Sequence, residues 1–401
     1  MPVEIRTHDG EMRPYTDAIF VAFAESVAER DAELWTRLLE QERALAAYDG
    51  NRIVGTAAAL SLELTIPGGI LPAAGVTTVG VHPTHRRRGI LRQMMERQLH
   101  DVHERGEPLA ALWASEASIY QRFGYGLASY HASLKIDRHR SAFRRPHEPT
   151  GTLRLVSEDE ARSLFPPVYE AARAERVGFF GRSQAYWDVW VFHFPEAWRH
   201  GRGDPFHAVH ETDGVADGFV RYAVRSGDVS ELSVLDQVAA TPAAHIDLWR
   251  YLFDVDLMSR VENWNVAIDD PLLLTVAEAR RLEMKVGDAL WLRIVDVAPA
   301  LAGRRYRADG RVVIELIDAL LPWNAGRWSI DVEAGIATVA LTDDPADLTL
   351  DTTDLAAAYL GGNTFGQLAA ARRVAEQQPG AIDRADLMFG VSRAPWVPSV
   401  F

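Results

Sequence analysis

The side chains best suited to chemistry stand together in Val76–Arg97, read as VTTVGVHPTHRRRGILRQMMER. Arg86, Arg87 and Arg88 precede Gly89, and Ile90, Leu91, Met94 and Met95 follow at helical spacing. Guanidinium groups offer fork-shaped donors. A helix start adds free N–H groups and the positive end of its dipole, and a glycine lets the backbone approach a ligand closely. These are the parts of a phosphate cradle, or, more plainly, of a solvated basic helix start. His82 and His85 flank Pro83-Thr84 and could act as a pair of bases, but turn histidines more often hold structure or face water. The 13 histidines show no HExxH or other metal spacing, so no metal is expected. Asp343, Asp344, Asp347, Asp351 and Asp354 lack the glycine and glutamate of a calcium loop and read as a solvated acidic face. With no cysteine there is no disulfide, no thiolate nucleophile and no Cys-ligated metal.

The elements that must position this stretch are spread over 401 residues, enough for two or three domains. A chain 48% hydrophobic and 24% charged is that of an ordinary globular protein. The net charge of −14 argues against nucleic acid as a main partner and favours cationic substrates such as amines. No apolar run is long enough to span a membrane, and Met1-Pro2-Val3-Glu4-Ile5-Arg6 has no signal-peptide shape, so a cytoplasmic location is expected.

Along the chain, residues 4–40 predict a strand and then amphipathic helices carrying Ile19, Phe20, Phe23, Val27, Leu34, Trp35, Leu38 and Leu39. Asp49-Gly50-Asn51 predicts a hairpin turn, and Gly55–Leu64 a strand closed by Pro67-Gly68-Gly69. After the cradle helix, Pro108–Ala114 reads as a buried strand. Ser115 is placed to cap a short helix with Ile119 and Tyr120, and Leu127–Ile136 reads as one strand. Arg138–Gly151 is linker-like. Further on, ELSVLDQVAATPAAHIDLWRYLF repeats the spacing of the opening stretch with Thr241-Pro242-Ala243-Ala244-His245 in place of the arginines. This predicts a duplicated unit that kept its scaffold and lost its phosphate cradle. From about Asp296 come strands near Val312–Leu316, Arg327–Val332 and Ala337–Leu341, then helices at Thr353–Leu360 and Thr364–Gln377.

The order strand, helices, three strands, helix, strand, helix, strand around Arg86-Arg87-Arg88-Gly89-Ile90-Leu91 resembles the GNAT N-acetyltransferase fold. Its signature there is Arg/Gln-x-x-Gly-x-Gly/Ala, and Leu91 departs from the usual small residue. The last third, with LTLDTTDLAAAYLGG, resembles sterol-carrier-protein-like domains. The whole chain resembles the Eis (enhanced intracellular survival) family of GNAT N-acetyltransferases, most of all in VGVHPTHRRRGILR, ALWASEASIYQRFGYG, GDALWLRIVDVAPAL and the ending on Phe401. The resemblance implies an α/β (α+β) fold in three parts. These are a GNAT domain binding acetyl-CoA at 1–150, a degenerate GNAT-like domain at 151–295, and a sterol-carrier-like domain at 296–401 bearing a catalytic C-terminus.

It also implies roles for particular residues. Val79, Gly80 and Val81 would meet the pantetheine arm, and Arg87, Arg88, Gly89, Ile90, Leu91 and Arg92 the pyrophosphate. Ser115 and Glu116 would close the acetyl-CoA site, Tyr120 would be the proton donor, and the α-carboxylate of Phe401 the proton acceptor. Phe23, Glu25, Trp35 and Trp187 would line the substrate pocket, with Val400 departing from the acid some relatives carry next to the end. The substrates implied are small-molecule amines, many of them aminoglycosides modified at several positions, and the assembly is a homohexamer. No nucleic acid or membrane partner is implied.

Acyl transfer from a thioester needs a neutral amine, a donor for the developing oxyanion, a protonated leaving thiolate and in-line positioning. A phenol with an ordinary pKa of about 10 is a proton donor at neutral pH. Without its position after the cofactor strand, Tyr120 would read as a core tyrosine beside Phe123 and Tyr125. A terminal carboxylate, with a pKa of about 3.3–3.7, deprotonates an ammonium poorly and would work through a water or by orienting the amine. The two prolines and large apolar groups of Ala394–Phe401 describe a segment built for burial. Two other readings remain at this stage: an acyltransferase for protein lysines or polyamines, and a lipid- or protein-binding module with vestigial activity.

Overall fold

The computed structural model describes residues 3–25 and 29–401; Val27 of the amphipathic pattern lies outside the described residues. The first sheet has seven strands in the order Glu4–Thr7, Ala44–Asp49, Arg52–Ile66, Gly69–Val81, Leu109–Trp113, Leu290–Ile294, Gly126–Leu127. Gly50, with φ 62°, makes the Asp49–Asn51 turn that sequence spacing predicts. Helix Ile90–Glu104 connects Gly69–Val81 to the parallel strand Leu109–Trp113 and buries Ile90, Met94, Met95 and Leu99 against the sheet. The parallel pairing is short. It runs from Ala73 opposite Leu109 to Gly75 opposite Ala111, and beyond that the strands part into a fork.

A bulge turns the open arm of the fork toward the opening. Thr56 pairs with Gly80 while Ala58 pairs with Thr77, so Gly69–Val81 carries an extra residue there. Thr78 takes φ 54° at the bulge, and the Thr56 hydroxyl donates to its carbonyl at 2.8 Å. Val79–Val81 therefore leave one backbone edge free on the fork side.

The second sheet repeats this plan, in the order Lys285–Asp288, Tyr130–Asp137, Arg260–Val266, Glu231–Ala239, Val215–Arg225, Phe206–Thr212, Thr152–Val156. Helix Pro242–Asp254 links its one parallel pair, which runs from Glu231 opposite Arg260 to Val234 opposite Asn263 before a second fork opens. The helix start is closed by Thr241, whose hydroxyl accepts from the N–H of Ala244 at 3.1 Å.

The two sheets exchange strands. The stretch read from sequence as one strand, Leu127–Ile136, is two: Gly126–Leu127 ends the first sheet, and Tyr130–Asp137 lies inside the second. Lys285–Asp288 and Leu290–Ile294 make the reciprocal crossing. The chains meet at the crossover, where the N–H of Ala289 donates to Ser129 at 3.1 Å and that of Ala128 to Leu290 at 2.9 Å.

The third sheet has the order Ile336–Leu341, Gly326–Glu333, Gly310–Ile317, Leu348–Asp351, Val374–Glu376. Helices Phe365–Ala370 and Ala381–Phe389 pack on it, while Thr352–Tyr359 lies chiefly against Leu290–Ile294 and Gly126–Leu127 of the first sheet. The helix expected at Thr364–Gln377 ends at Ala370, because Arg372 turns left-handed at φ 61° and Val374–Glu376 pairs with Leu348–Leu350. Arg293, on the exchanged strand and wholly buried, fixes this unit to the first sheet through a two-oxygen contact with Asp318 at 2.7 and 2.8 Å and a hydrogen bond to Thr352.

Candidate active site

The fork of the first sheet opens into a cleft of about 1420 Å³. Val79, Gly80 and Val81 form one wall, and Arg87, Gly89, Ile90, Leu91 and Arg92 the helix start beside it. Gly89 takes φ 78° and Arg87 φ 62°, so the loop turns sharply before the helix, and no side chain caps its first turn. The first-turn N–H groups stay available for an anion, with the Arg87 guanidinium beside them. Arg86 serves the loop instead, because its guanidinium donates to the carbonyl of Ala22 at 3.1 Å and ties the loop to helix Met12–Phe23. Arg88 is exposed and stays out of the cleft lining, and its charge helps hold the Asp49 carboxyl below the usual carboxylate range, mainly set by a hydrogen bond with His85. An uncapped helix start, an arginine and an open strand edge in one cleft fit the pyrophosphate and amide groups of acetyl-CoA.

His82 and His85 brace the turn. Nε2 of His82 lies 2.8 Å from Arg52, Nε2 of His85 lies 3.0 Å from Asp49, and the Thr84 hydroxyl joins the two rings at 2.8 Å each. Of the two roles open to turn histidines, this is the structural one.

Tyr120 ends the short helix Ala117–Tyr120, which runs on into the 3-10 turn Gln121–Phe123 that Gly124 terminates at φ 81°. Glu116, not Ser115, holds the N-cap position, without a side-chain bond. The Tyr120 ring is 6% exposed, lines the cleft, and meets Tyr125 edge-on at 6.1 Å. Burial, and then the negative charge of Glu116, push its phenol up to about 12, against a hydrogen bond from Ser115. The group is a proton donor throughout the neutral range.

Phe401 is 8% exposed, packs edge-on against Phe180 at 5.2 Å, and lies 3.3 Å from where a side chain at Gly75 would project. Gly75 is the last paired residue before the fork. The segment leading to Phe401 is tied down throughout. Trp113 Nε1 donates to the Ser399 carbonyl at 3.0 Å, and the Tyr186 hydroxyl to that of Val400 at 2.6 Å. Asn265 Nδ2 donates to the carbonyl of Val397 at 3.0 Å. Side-chain alternation puts Tyr120 with Ala74, Val76, Ala110 and Leu112 on one face of the sheet, and Phe401 with Ala73, Leu109 and Ala111 on the other.

Of the residues expected in the substrate pocket, Phe23 lines the same cleft and is 42% exposed. Ala24 turns left-handed at φ 58° after it, and the exposed Glu25 follows. Trp35 stands apart from the cleft lining, half-buried and edge-on to Trp190 at 5.0 Å. Trp187 points into the core of the second unit, packed on Tyr169 and Phe192, with the Arg182 guanidinium 4.7 Å from its ring. Sequence reasoning passes over the far wall, which comes from the third unit: Ile317, Ala319, Leu320 and Thr353. It also passes over Arg122, an exposed cation in the same cleft. No local signal marks the first group; Arg122 sits within SIYQRFGYG.

Comparison with known proteins decides the family. Residues 5–128 and residues 178–294 each match an acetyltransferase (GNAT) domain, and residues 297–398 a sterol carrier protein domain. The N-acetyltransferase Eis of Mycobacterium tuberculosis is 34% identical over 378 residues, covering 92% of this chain and 92% of that protein. The chain belongs to the Eis family of GNAT N-acetyltransferases. An uncharacterized N-acetyltransferase of Streptomyces avermitilis shares 41% identity over 392 residues, 95% of this chain and 94% of its own. The crystal structure of Eis1 from Mycobacterium abscessus superposes over all of both chains with a TM-score of 0.87 at 35% identity. As an Eis-family member the chain is an acyltransferase, and GNAT enzymes take their acetyl group from acetyl-CoA. Two GNAT units followed by a sterol-carrier-like unit is the organisation read from the sequence.

Proposed function

We propose that this Eis-family enzyme moves the acetyl group of acetyl-CoA directly to an amine of an aminoglycoside-like polycation, at more than one position of it. The observation that carries the reading is the pair of groups about the fork: the Tyr120 phenol on one face, and the end of the buried C-terminal segment on the other. Val79–Val81 and the uncapped helix start at Gly89 hold the cofactor, with Arg87 and Arg92 at its phosphates and Ser115 and Glu116 at the mouth. The fork lets the thioester reach between the strands, to a substrate on the Phe401 side.

In the reaction the neutral amine nitrogen attacks the thioester carbon; the C–N bond forms and the C–S bond breaks. Tyr120 gives its proton to the departing sulfur, and the surplus amine proton leaves through the Phe401 carboxylate, by way of water. With no cysteine, the chain lacks the commonest acyl-carrying nucleophile, which favours transfer in a ternary complex. The charge of −14 and an exposed Glu25 beside the aromatic Phe23 suit a polycationic substrate. The same reading includes assembly as a homohexamer, which light scattering tests.

The test is turnover of acetyl-CoA, followed by thiol release, against aminoglycosides, arylalkylamines, polyamines and lysine peptides. Aminoglycosides should be turned over fastest. Preference for lysine peptides or polyamines would move the substrate class and leave the site intact.

A further inference from the structure

The second fork has no phosphate cradle beside it, yet it is not idle. Its arms part after Val234 and Asn263. Two residues further along each arm stand Asp236 and Asn265, and both serve the C-terminal segment. Asn265 spends both ends of its amide on it, donating from Nδ2 to the Val397 carbonyl at 3.0 Å and accepting at Oδ1 from Trp396 Nε1 at 2.8 Å. Asp236 binds Arg182 at 2.8 Å, and Arg182 donates to the Ser399 hydroxyl. That arginine is itself buried, its guanidinium 4.0 Å from the Tyr169 ring.

The first fork mirrors this on the other side of the segment. Its arms part after Gly75 and Ala111, and two residues past Ala111 stands Trp113, which donates to the Ser399 carbonyl at 3.0 Å. Trp113 and Asn265 thus occupy matching places in the two duplicated sheets and grip the segment two residues apart.

We propose that the second unit is the seat of the C-terminal segment, its fork holding Trp396–Ser399 where the first fork takes a cofactor, so that Phe401 is delivered to the first fork. Asn265, Arg182 and Asp236 are then positioning residues. Duplication followed by loss of the cradle turned a cofactor site into a dock for the chain's own end. This rests on the reading of the Phe401 carboxylate as proton acceptor, but the docking can be measured without it.

The experiment uses the full chain carrying Asn265→Ala or, leaving the core of the second unit intact, Ser399→Ala. Carboxypeptidase release of Phe401 reports opening of the segment, since a seated end must leave its dock to be cut. Loss of the two Asn265 bonds should raise release roughly tenfold, and Ser399→Ala severalfold. With the segment still seated in most molecules of either variant, kcat and the KM for acetyl-CoA should stay within about twofold of wild type and the thermal midpoint should change little. Release at the wild-type rate from both variants would overturn the seat. Faster release from both variants would uphold the seat, whether or not the Phe401 carboxylate takes part in the chemistry.

Discussion

Tyr120 and Phe401 pack on opposite faces of one sheet, about the fork that opens past Gly75 and Ala111. A gap between two parallel strands gives a group on one face a route to a group on the other. In the proposed mechanism this arrangement divides the work of acyl transfer, with leaving-group protonation on one side and acceptance of the amine proton on the other.

Replacing Tyr120 with Phe keeps the ring and its contact with Tyr125 and removes only the proton. Turnover should fall roughly 10²- to 10⁴-fold, with little change in the KM for acetyl-CoA. Steady-state kinetics check this, and near-wild-type kcat would remove Tyr120 from the mechanism.

Deleting Phe401, or extending the chain with a C-terminal tag, should abolish turnover while circular dichroism shows the fold intact. Phe401 is one ring at the edge of a core built from many buried side chains, whereas its carboxylate is the proposed proton acceptor.

The pH profile has a definite sign. A phenol must be protonated to act as an acid, and burial holds that of Tyr120 up at about 12. No alkaline loss of kcat/KM from this group should appear below about pH 11, whereas a phenol at its ordinary value of about 10 would begin to lose activity roughly a unit earlier than 10. An alkaline limb near pH 9 in wild type that Ser115→Ala or Glu116→Gln shifts would contradict the assignment.

Arg87→Ala removes a charged donor from the helix start and leaves Tyr120 untouched. A hydrogen bond to a charged group contributes about 1.5–3 kcal/mol, so the KM for acetyl-CoA should rise roughly 10- to 150-fold with kcat at saturation preserved. Arg88→Ala, outside the cleft lining, should change it far less. Titration of initial rates with acetyl-CoA separates the two.

Arg293→Met strands the buried Asp318 carboxylate without its cation, a change that costs roughly 3–5 kcal/mol. Thermal or denaturant unfolding should show that loss, and the double change with Asp318→Asn, which keeps an acceptor for the Leu320 and Leu321 N–H groups, should recover part of it.

Much of this site was legible in the sequence because its signals are local. An arginine run, a glycine and an apolar helix face lie within Val76–Arg97, and helix Ile90–Glu104 starts where the spacing predicts it. The strand exchange was not legible. Leu127–Ile136 has one continuous strand pattern, and nothing in it says that Ser129 is where the chain passes from one sheet to the other. The packing of Trp187 on Tyr169 was not legible either, because an aromatic residue can face either way. The far wall at Ile317–Leu320 is brought to the cleft by the ion pair of Arg293 with Asp318, a tertiary contact without a sequence pattern.

The most direct test of the proposed mechanism is thiol release from acetyl-CoA by the wild-type chain and by the chain lacking Phe401, each with an aminoglycoside and without one. The mechanism predicts amine-dependent release with sequential kinetics in wild type, no burst of acyl-enzyme, and none of that release in the shortened chain, which still binds acetyl-CoA. Equal turnover by the shortened chain, or no amine-dependent release by wild type with any amine, would contradict it.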